Sequence, residues 1–275
     1  MPTALITGAS SGIGQATSLR LARSGWRVLA GVRRSEDGER LASEGPPGRI
    51  EALELDVTDP AQVAAAAARV DGSGLGALVN NAGIGVGGPL EVLSEDEWRR
   101  QFDVNFFAQI AVTRALLPSL RAARGRIVFI SSIGGKVAMA FNGPYAASKH
   151  AIEAVGDALR VELARSGVQV ALIEPGSVAT PIWDKTRGIA QRIEIPAGLE
   201  HEYGDIPGKI EKVLQDTGAR GIPPEAVAEA IEKALSAPRM PSRVLVGRDA
   251  RLMATVRRVL PDRVFDGIVR RRLGL

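Results

Sequence analysis

The chain has 275 residues, 45% of them hydrophobic, no Cys, two His and a formal charge of +4. That length and apolar content suit one α/β domain with a large core, while the lack of Cys excludes a disulfide framework, thiolate catalysis and a Cys-ligated zinc site. With only His150 and His201 available a His-based metal site is unexpected, and no apolar run approaches the roughly 18 residues that span a bilayer.

The charge is uneven. Residues 248–275 hold eight Arg and three Asp, a local +5, so the other 247 residues sum to −1. The body therefore offers no basic face of the size nucleic acid needs. The first apolar run begins at Thr3, which leaves no space for a signal peptide and points to a cytoplasmic protein.

Residues 3–6 predict a first strand, followed directly by Thr7-Gly8-Ala9-Ser10-Ser11-Gly12-Ile13-Gly14 and a helical pattern through Ser24. Strand, glycine turn and helix aim amide groups and a positive dipole end at a pyrophosphate. Gly8 permits the tight turn, Gly12 a close approach to phosphate, and Gly14 close helix–strand packing. The spacing is GxxxGxG rather than GxGxxG, and any strand–helix turn needs glycine, so this motif requires support from elsewhere.

Residues 27–32 read as the second strand and end at Arg33-Arg34. In a dinucleotide fold this position meets the adenosine ribose, where an acid selects a free 2′-hydroxyl and Arg accommodates a 2′-phosphate. Arg33 and Arg34 favour NADP(H), with Ser10 and Ser11 of the turn among the contacts. The competing reading makes both Arg solvated loop charges, and Glu36 and Asp37 keep NAD(H) open. After a third strand at residues 50–55, Asp56 either meets the adenine or caps the next helix with Thr58 and Asp59. A helix is expected over 60–70 and a fourth strand over 76–79, ending in Asn80-Asn81-Ala82-Gly83, which suits a ligand crevice or an ordinary turn.

Ser94 and Glu97 form a capping box ahead of a helix carrying Asn105, whose amide in an apolar stretch must find partners. A fifth strand, 126–130, delivers Ser132. Tyr145 and Lys149 follow on a helix expected over 144–165. Spaced i and i+4, they share a helix face about 5–6 Å apart. The ammonium is expected to lower the phenol pKa by about 3 units, roughly 4 kcal/mol, and so make a general acid/base. A lone YxxxK arises often by chance, leaving Tyr145 as a packed helix residue and Lys149 as a surface charge. His150, one residue on, should point elsewhere, and His201 reads as a surface residue. A sixth strand over 168–173 leads into Glu174-Pro175-Gly176-Ser177-Val178-Ala179-Thr180. Strands alternating with helices predict a doubly wound, Rossmann-like parallel sheet in a single domain, with no internal repeat.

At this point the sequence resembles the short-chain dehydrogenase/reductase superfamily over residues 3–247. The resemblance rests on TGASSGIG (7–14), LDV (55–57), NNAG (80–83), Asn105, Ser132, YAASK (145–149) and EPGSVAT (174–180), in family order. It implies an NAD(P)-dependent oxidoreductase in which Tyr145 exchanges a proton with the substrate oxygen and Ser132 holds that oxygen. Lys149 would depress the Tyr pKa and bind the nicotinamide ribose, while Asn105 keeps a helix kink and a water that link Lys149 to solvent. Gly8, Ser11, Gly12, Ile13 and Gly14 would hold phosphate and ribose, Asp56 and Val57 adenine, and Asn81, Ala82 and Gly83 the adjacent ribose. Pro175, Gly176, Val178 and Thr180 belong to the stretch that would hold the carboxamide. The GVRR sequence after the second strand and the extended C-terminus look most like the 17β-hydroxysteroid/retinol dehydrogenase-like branch.

Residues 177–222 read as an insertion whose Ile182, Trp183, Ile189, Ile193, Tyr203 and Leu214 suit either a lid over a lipophilic carbonyl compound or alcohol, or a helical cap on the sheet edge. A helix over 223–237 and a last strand over 242–246 complete the domain. Residues 248–275 predict an amphipathic helix pair broken at Pro261. Its Arg-rich face either meets an anionic membrane peripherally or stays solvated while the pair packs on the domain or a subunit partner of a homo-oligomer. Against the oxidoreductase stand two other readings: a reductase of carrier-protein-bound ketoacyl chains, which the basic tail fits, and a catalytically silent NAD(P)-binding regulatory protein.

Overall fold

The structure is a computed structural model that describes residues 1–70 and 74–274; Leu275, the last residue of the expected extension, lies outside them. β1 (Thr3–Thr7) leads through the glycine turn into α1 (Gly12–Arg23), and β2 (Arg27–Val32) into α2 (Ser35–Glu44). β3 (Ile50–Glu54), α3 (Pro60–Val70) and β4 (Ala77–Asn80) follow. α4 (Glu95–Phe102) continues through a π-helical turn, Asp103–Phe107, into α5 (Ala108–Ala122). β5 (Arg126–Ile130), α6 (Gly143–Glu162) and β6 (Gln169–Pro175) come next. The insertion is helical, with α7 (Ile182–Ala190), α8 (Glu200–Tyr203) and α9 (Ile206–Arg220). α10 (Pro224–Ser236), β7 (Arg243–Val246), α11 (Arg248–Val259) and α12 (Asp262–Leu273) end the chain.

All seven strands are parallel, in the order β3-β2-β1-β4-β5-β6-β7. Both faces are covered, which is why the strands read as nearly continuous apolar runs. Alternation then divides them between two cores. Leu5, Leu29, Leu78, Phe129 and Leu172 face α3, α5 and α6, whereas Ile6, Ala30, Val79, Val128 and Ile173 face α1 and α10. The connections from β1 run toward β2 and β3 and those from β4 toward β7, so a crevice opens at the carboxyl ends of β1 and β4.

The doubly wound sheet and its helical extension are as the sequence predicts; the differences are local. β6 runs on through Pro175 because Glu174 and Pro175 pair with Leu245 and Val246 of β7. α6 stops at Glu162, and a 3₁₀ turn, Ala164–Ser166, closes at Gly167 with φ 73°. Ser94 caps α4 by accepting from the Glu97 N–H at 3.3 Å, and Pro261 separates α11 from α12.

Phe129 is fully buried at the centre of one core. Replacing it with Ala should lower the unfolding free energy by about 3–5 kcal/mol in denaturant titration, and a loss under about 1 kcal/mol would mean that the core is not packed as described.

Candidate active site

The glycine turn, the Asn80–Gly83 stretch, the end of β5, the start of α6 and the Pro175–Thr180 loop all meet at this crevice. Ser11 begins α1 with extended backbone and no side-chain hydrogen bond, and no acid stands in the first turn. The amides and dipole end there therefore suit an anion from outside the chain. Gly12 has φ +57°, and a Cβ on it would lie 3.0 Å from Thr180 Cγ2, so the 175–180 loop borders the turn. At Gly14 a Cβ would overlap the Gly8 carbonyl oxygen, as close helix–strand packing requires. Asn81 Nδ2 donates to the Thr7 and Gly8 carbonyls at 2.9 and 3.1 Å, and Thr7 Oγ1 accepts from the Asn81 and Ala82 N–H groups. Turn and NNAG stretch are one hydrogen-bonded unit.

At the end of β2 the two Arg separate. Arg34 is held by Asp37 at 3.0 Å, while Arg33 is exposed and forms no salt bridge among the described residues. Asp37 also binds Arg40 at 3.3 Å, and Arg40 Nη2 donates to the Ser10 carbonyl at 3.2 Å. Arg40 thus joins Arg33 beside the turn. Sequence reading missed it, because nothing in the pattern of α2 tells which exposed Arg reaches back to Ser10. The acid that kept NAD(H) open, Asp37, is committed to two guanidinium groups; Glu36 remains exposed. Asp56 Oδ1 accepts from the Thr58 hydroxyl and N–H, and that bonding, with help from Arg33, holds its carboxyl below the usual range. The helix cap is Asp59, which accepts from the Ala61 N–H at 2.8 Å. Val57 is buried beside it.

Asn105 is fully buried in the π turn, where its Oδ1 accepts from the Ile84 N–H at 2.8 Å and its Nδ2 donates to the Ile84 carbonyl and to Ser148 Oγ. Gln101 and Gln109, one turn to either side, bind Val86, Ile84 and Ala82 backbone. Three amides on one helix face therefore fix the 82–86 segment. The two Gln were not singled out in the sequence, although spacing i, i+4, i+8 with buried Asn105 was the available signal.

Ser132, Tyr145 and Lys149 converge. Ser132 Oγ accepts from the Gly134 N–H at 3.0 Å and is hydrogen-bonded to Tyr145. Lys149 Nζ lies 5.7 Å from the Tyr145 ring centroid. The expected electrostatics require correction. Burial raises the Tyr145 pKa above its ordinary 10.0, and Ser132 offsets this only in part. Burial also pulls Lys149 down to about 8, against an upward pull from Glu153. The physical reason is that the ammonium is itself desolvated and donates to the Ile130 carbonyl at 2.8 Å. His150 is exposed and turned back to the Ala146 carbonyl, and His201 is exposed.

The 175–180 loop is tied down from outside the crevice. Gly176 N–H donates to Val246, Val178 bridges Ile222, Trp183 Nε1 donates to the Val178 carbonyl, and Ser177 N–H donates to Asp249 at 2.7 Å. Of the insertion, Ile193 and Thr186 pack on Gly88 and Gly85. Beneath the site lies a charged cluster that sequence reading also missed. Glu174, with no exposed area, sits 3.1 Å from Lys136 and 3.3 Å from Arg243, which also holds Glu153 and Asp157. Burial, reinforced by the neighbouring Glu153 charge, pushes the Glu174 carboxyl up to about 7.

Comparison with known proteins gives the family. The short chain dehydrogenase family matches residues 2–189. The chain is 35% identical to an NADPH-dependent 3-dehydrocapnine reductase of Ornithobacterium rhinotracheale, over 98% of this chain and 96% of that one. It is 36% identical to mouse (Mus musculus) retinol dehydrogenase 5, over 96% and 86%. A short chain dehydrogenase from Burkholderia cenocepacia, solved in complex with NADP, superposes with a TM-score of 0.73 at 28% identity, covering 99% of this chain and 97% of that one. The chain belongs to the short chain dehydrogenase family and is an oxidoreductase of that class.

Glu174 also predicts a pH dependence. The folded chain keeps a proton on it that the unfolded chain releases near 4.5, so stability falls as pH rises from about 4.5 to about 7. Glu174→Gln should remove that slope, worth on the order of 2 kcal/mol over the interval in urea titrations. Parallel curves for parent and variant would refute the shift.

Proposed function

We propose that the protein is an NADP(H)-dependent reductase of lipophilic ketones or aldehydes in which Tyr145 donates the proton. The observation that carries this reading is the convergence of Ser132, Tyr145 and Lys149 beside the glycine cradle. When bound, NADP(H) supplies or accepts the hydride. The residues that fit it are the first turn of α1 with Gly8 to Gly14, Arg33 and Arg40 at the 2′-phosphate, Asp56 and Val57, Asn81 to Gly83, and the Pro175–Thr180 loop. Ser10 belongs to the same cradle; Arg34 and Arg40 share Asp37, and of those two only Arg40 also reaches Ser10.

The chain's own chemistry follows from the raised phenol. A phenol that burial keeps neutral is suited to give a proton to a carbonyl oxygen as that oxygen gains charge. Ser132 is placed to hold the same oxygen. Lys149, kept in reach of protonation by Glu153, is the cation beside the phenol and would help return its proton; it is also a residue that would hold the nucleotide. Asn105 and its neighbouring amides keep the 82–86 segment in place. The half-buried Ile182, Trp183, Ile189 and Ile193 support a lipophilic substrate, as do the names of the two enzymes to which the chain is similar.

Tyr145→Phe should lower kcat by about 10³-fold with NADPH and a lipophilic ketone, while NADPH affinity changes less than about twofold. Retained turnover would falsify the assignment of the proton. Arg33→Ala should raise the Kd for NADPH about tenfold and leave NADH unchanged in thermal-shift titrations, and equal effects on both cofactors would remove Arg33 from the 2′-phosphate.

A further inference from the structure

The sequence leaves open what α11 and α12 face. Their inner sides are accounted for: Ala250 and Phe265 are buried, and Met253, Val256 and Val269 are half-buried. The two helices are joined by Arg257, which pairs with Asp262 at 2.7 Å and lies over the Phe265 ring at 5.4 Å.

Their outer sides combine exposed aliphatic residues with exposed Arg. Leu252 and Val259 of α11 are 66% and 71% exposed, and Val264 and Ile268 of α12 are 49% and 49% exposed. At about 100° per residue, Leu252, Val259, Arg251 and Arg258 fall within roughly 120° of the α11 surface. On α12, Val264, Ile268 and Arg271 lie within roughly 60°, with Arg263 and Arg270 to one side and Arg272 to the other. These Arg are exposed and form no ion pair among the described residues. A merely soluble helix solvates its charges but has no reason to surround bare Leu, Val and Ile with them.

We propose that the outer face of α11–α12 docks on an anionic lipid bilayer, the apolar side chains entering the headgroup region while the Arg meet lipid phosphates and carboxylates. Charge complementarity favours this occupant, because the +5 of the segment stands against −1 on the rest of the chain. Nucleic acid would use the Arg and leave the four aliphatic residues without a role. A second copy would bring the same positive charge against itself.

The docking face is mechanically continuous with the substrate region. Asp249, in the first turn of α11, holds the Ser177 N–H of the 175–180 loop at 2.7 Å. At the far end, the Gly274 carbonyl accepts from Lys209 Nζ of α9 at 3.0 Å. A bilayer under α11–α12 thus lies next to the helical insertion, and a lipophilic substrate can reach the crevice without crossing bulk water. This part rests on the reductase reading above; the docking itself does not.

The test is flotation of the full-length protein with vesicles of phosphatidylcholine alone and of phosphatidylcholine with phosphatidylserine. We expect flotation with the phosphatidylserine vesicles at low salt, little with phosphatidylcholine alone, and release at high salt. Leu252→Ser with Ile268→Ser, and separately the Gln triple variant at Arg270, Arg271 and Arg272, should each lower partitioning at least tenfold, with turnover of a small water-soluble ketone unchanged. No flotation of the parent protein overturns the proposal, whatever the variants do. So does serine-variant binding equal to the parent, which would make the face a plain polyanion site, or a dimer in ultracentrifugation that the same variants dissociate. Flotation without turnover of any lipophilic carbonyl compound sinks the reductase reading and leaves the docking intact.

Discussion

The site depends on one buried ammonium. Lys149 is 4% exposed, lies 5.7 Å from the Tyr145 ring centroid, and has its charge sustained by the Ile130 carbonyl and by Glu153 one helical turn away. Taking a cation out of water is costly, and its pKa falls to about 8 as a result. That cost is tolerated because the ion connects three elements: β5 through Ile130, α6 through its own backbone, and the crevice through Tyr145. Burial displaces both the Tyr145 phenol and the Lys149 ammonium toward their neutral forms.

The rest of the architecture supports that centre from below and from the sides. Below, Glu174 and Glu153 share Arg243, with Lys136 on Glu174, so the end of β6, the middle of α6, the start of β7 and the turn after β5 meet in one polar cluster. At one side, Gln101, Asn105 and Gln109 replace the hydrogen bonds that the extended 82–86 backbone would otherwise lack. The π turn is the means: an extra residue in Asp103–Phe107 changes the phase of the helix locally, and Asn105 then sits fully buried against Ile84 and Ser148. At the other side, α11 reaches back with Asp249 to the loop after β6.

How legible all this was depends on the range of each interaction. The strands were legible because a parallel sheet covered on both faces needs apolar runs, and the turns because glycine and paired Asn leave a compact signature. The convergence of Tyr145, Lys149 and Ser132 was legible for the same local reason: one helix spacing and one strand end place them. Arg40 on Ser10, Glu174 beside Arg243, and the sign of the Tyr145 shift were not, since each arises between residues far apart in the chain whose burial has no local sequence mark.

By itself, then, the sequence determined the βα alternation, the nucleotide-type turn, the Tyr–Lys pair and the amphipathic C-terminal helices, all of them periodic or short-range patterns. Only the tertiary structure decided which Arg stays unpaired beside the turn, which carboxylates share the half-buried Arg243, and whether the phenol gains or loses its proton more easily. Those outcomes depend on how far each charge is removed from water and on what then lies within a few ångströms of it, and burial is a property of the packed whole.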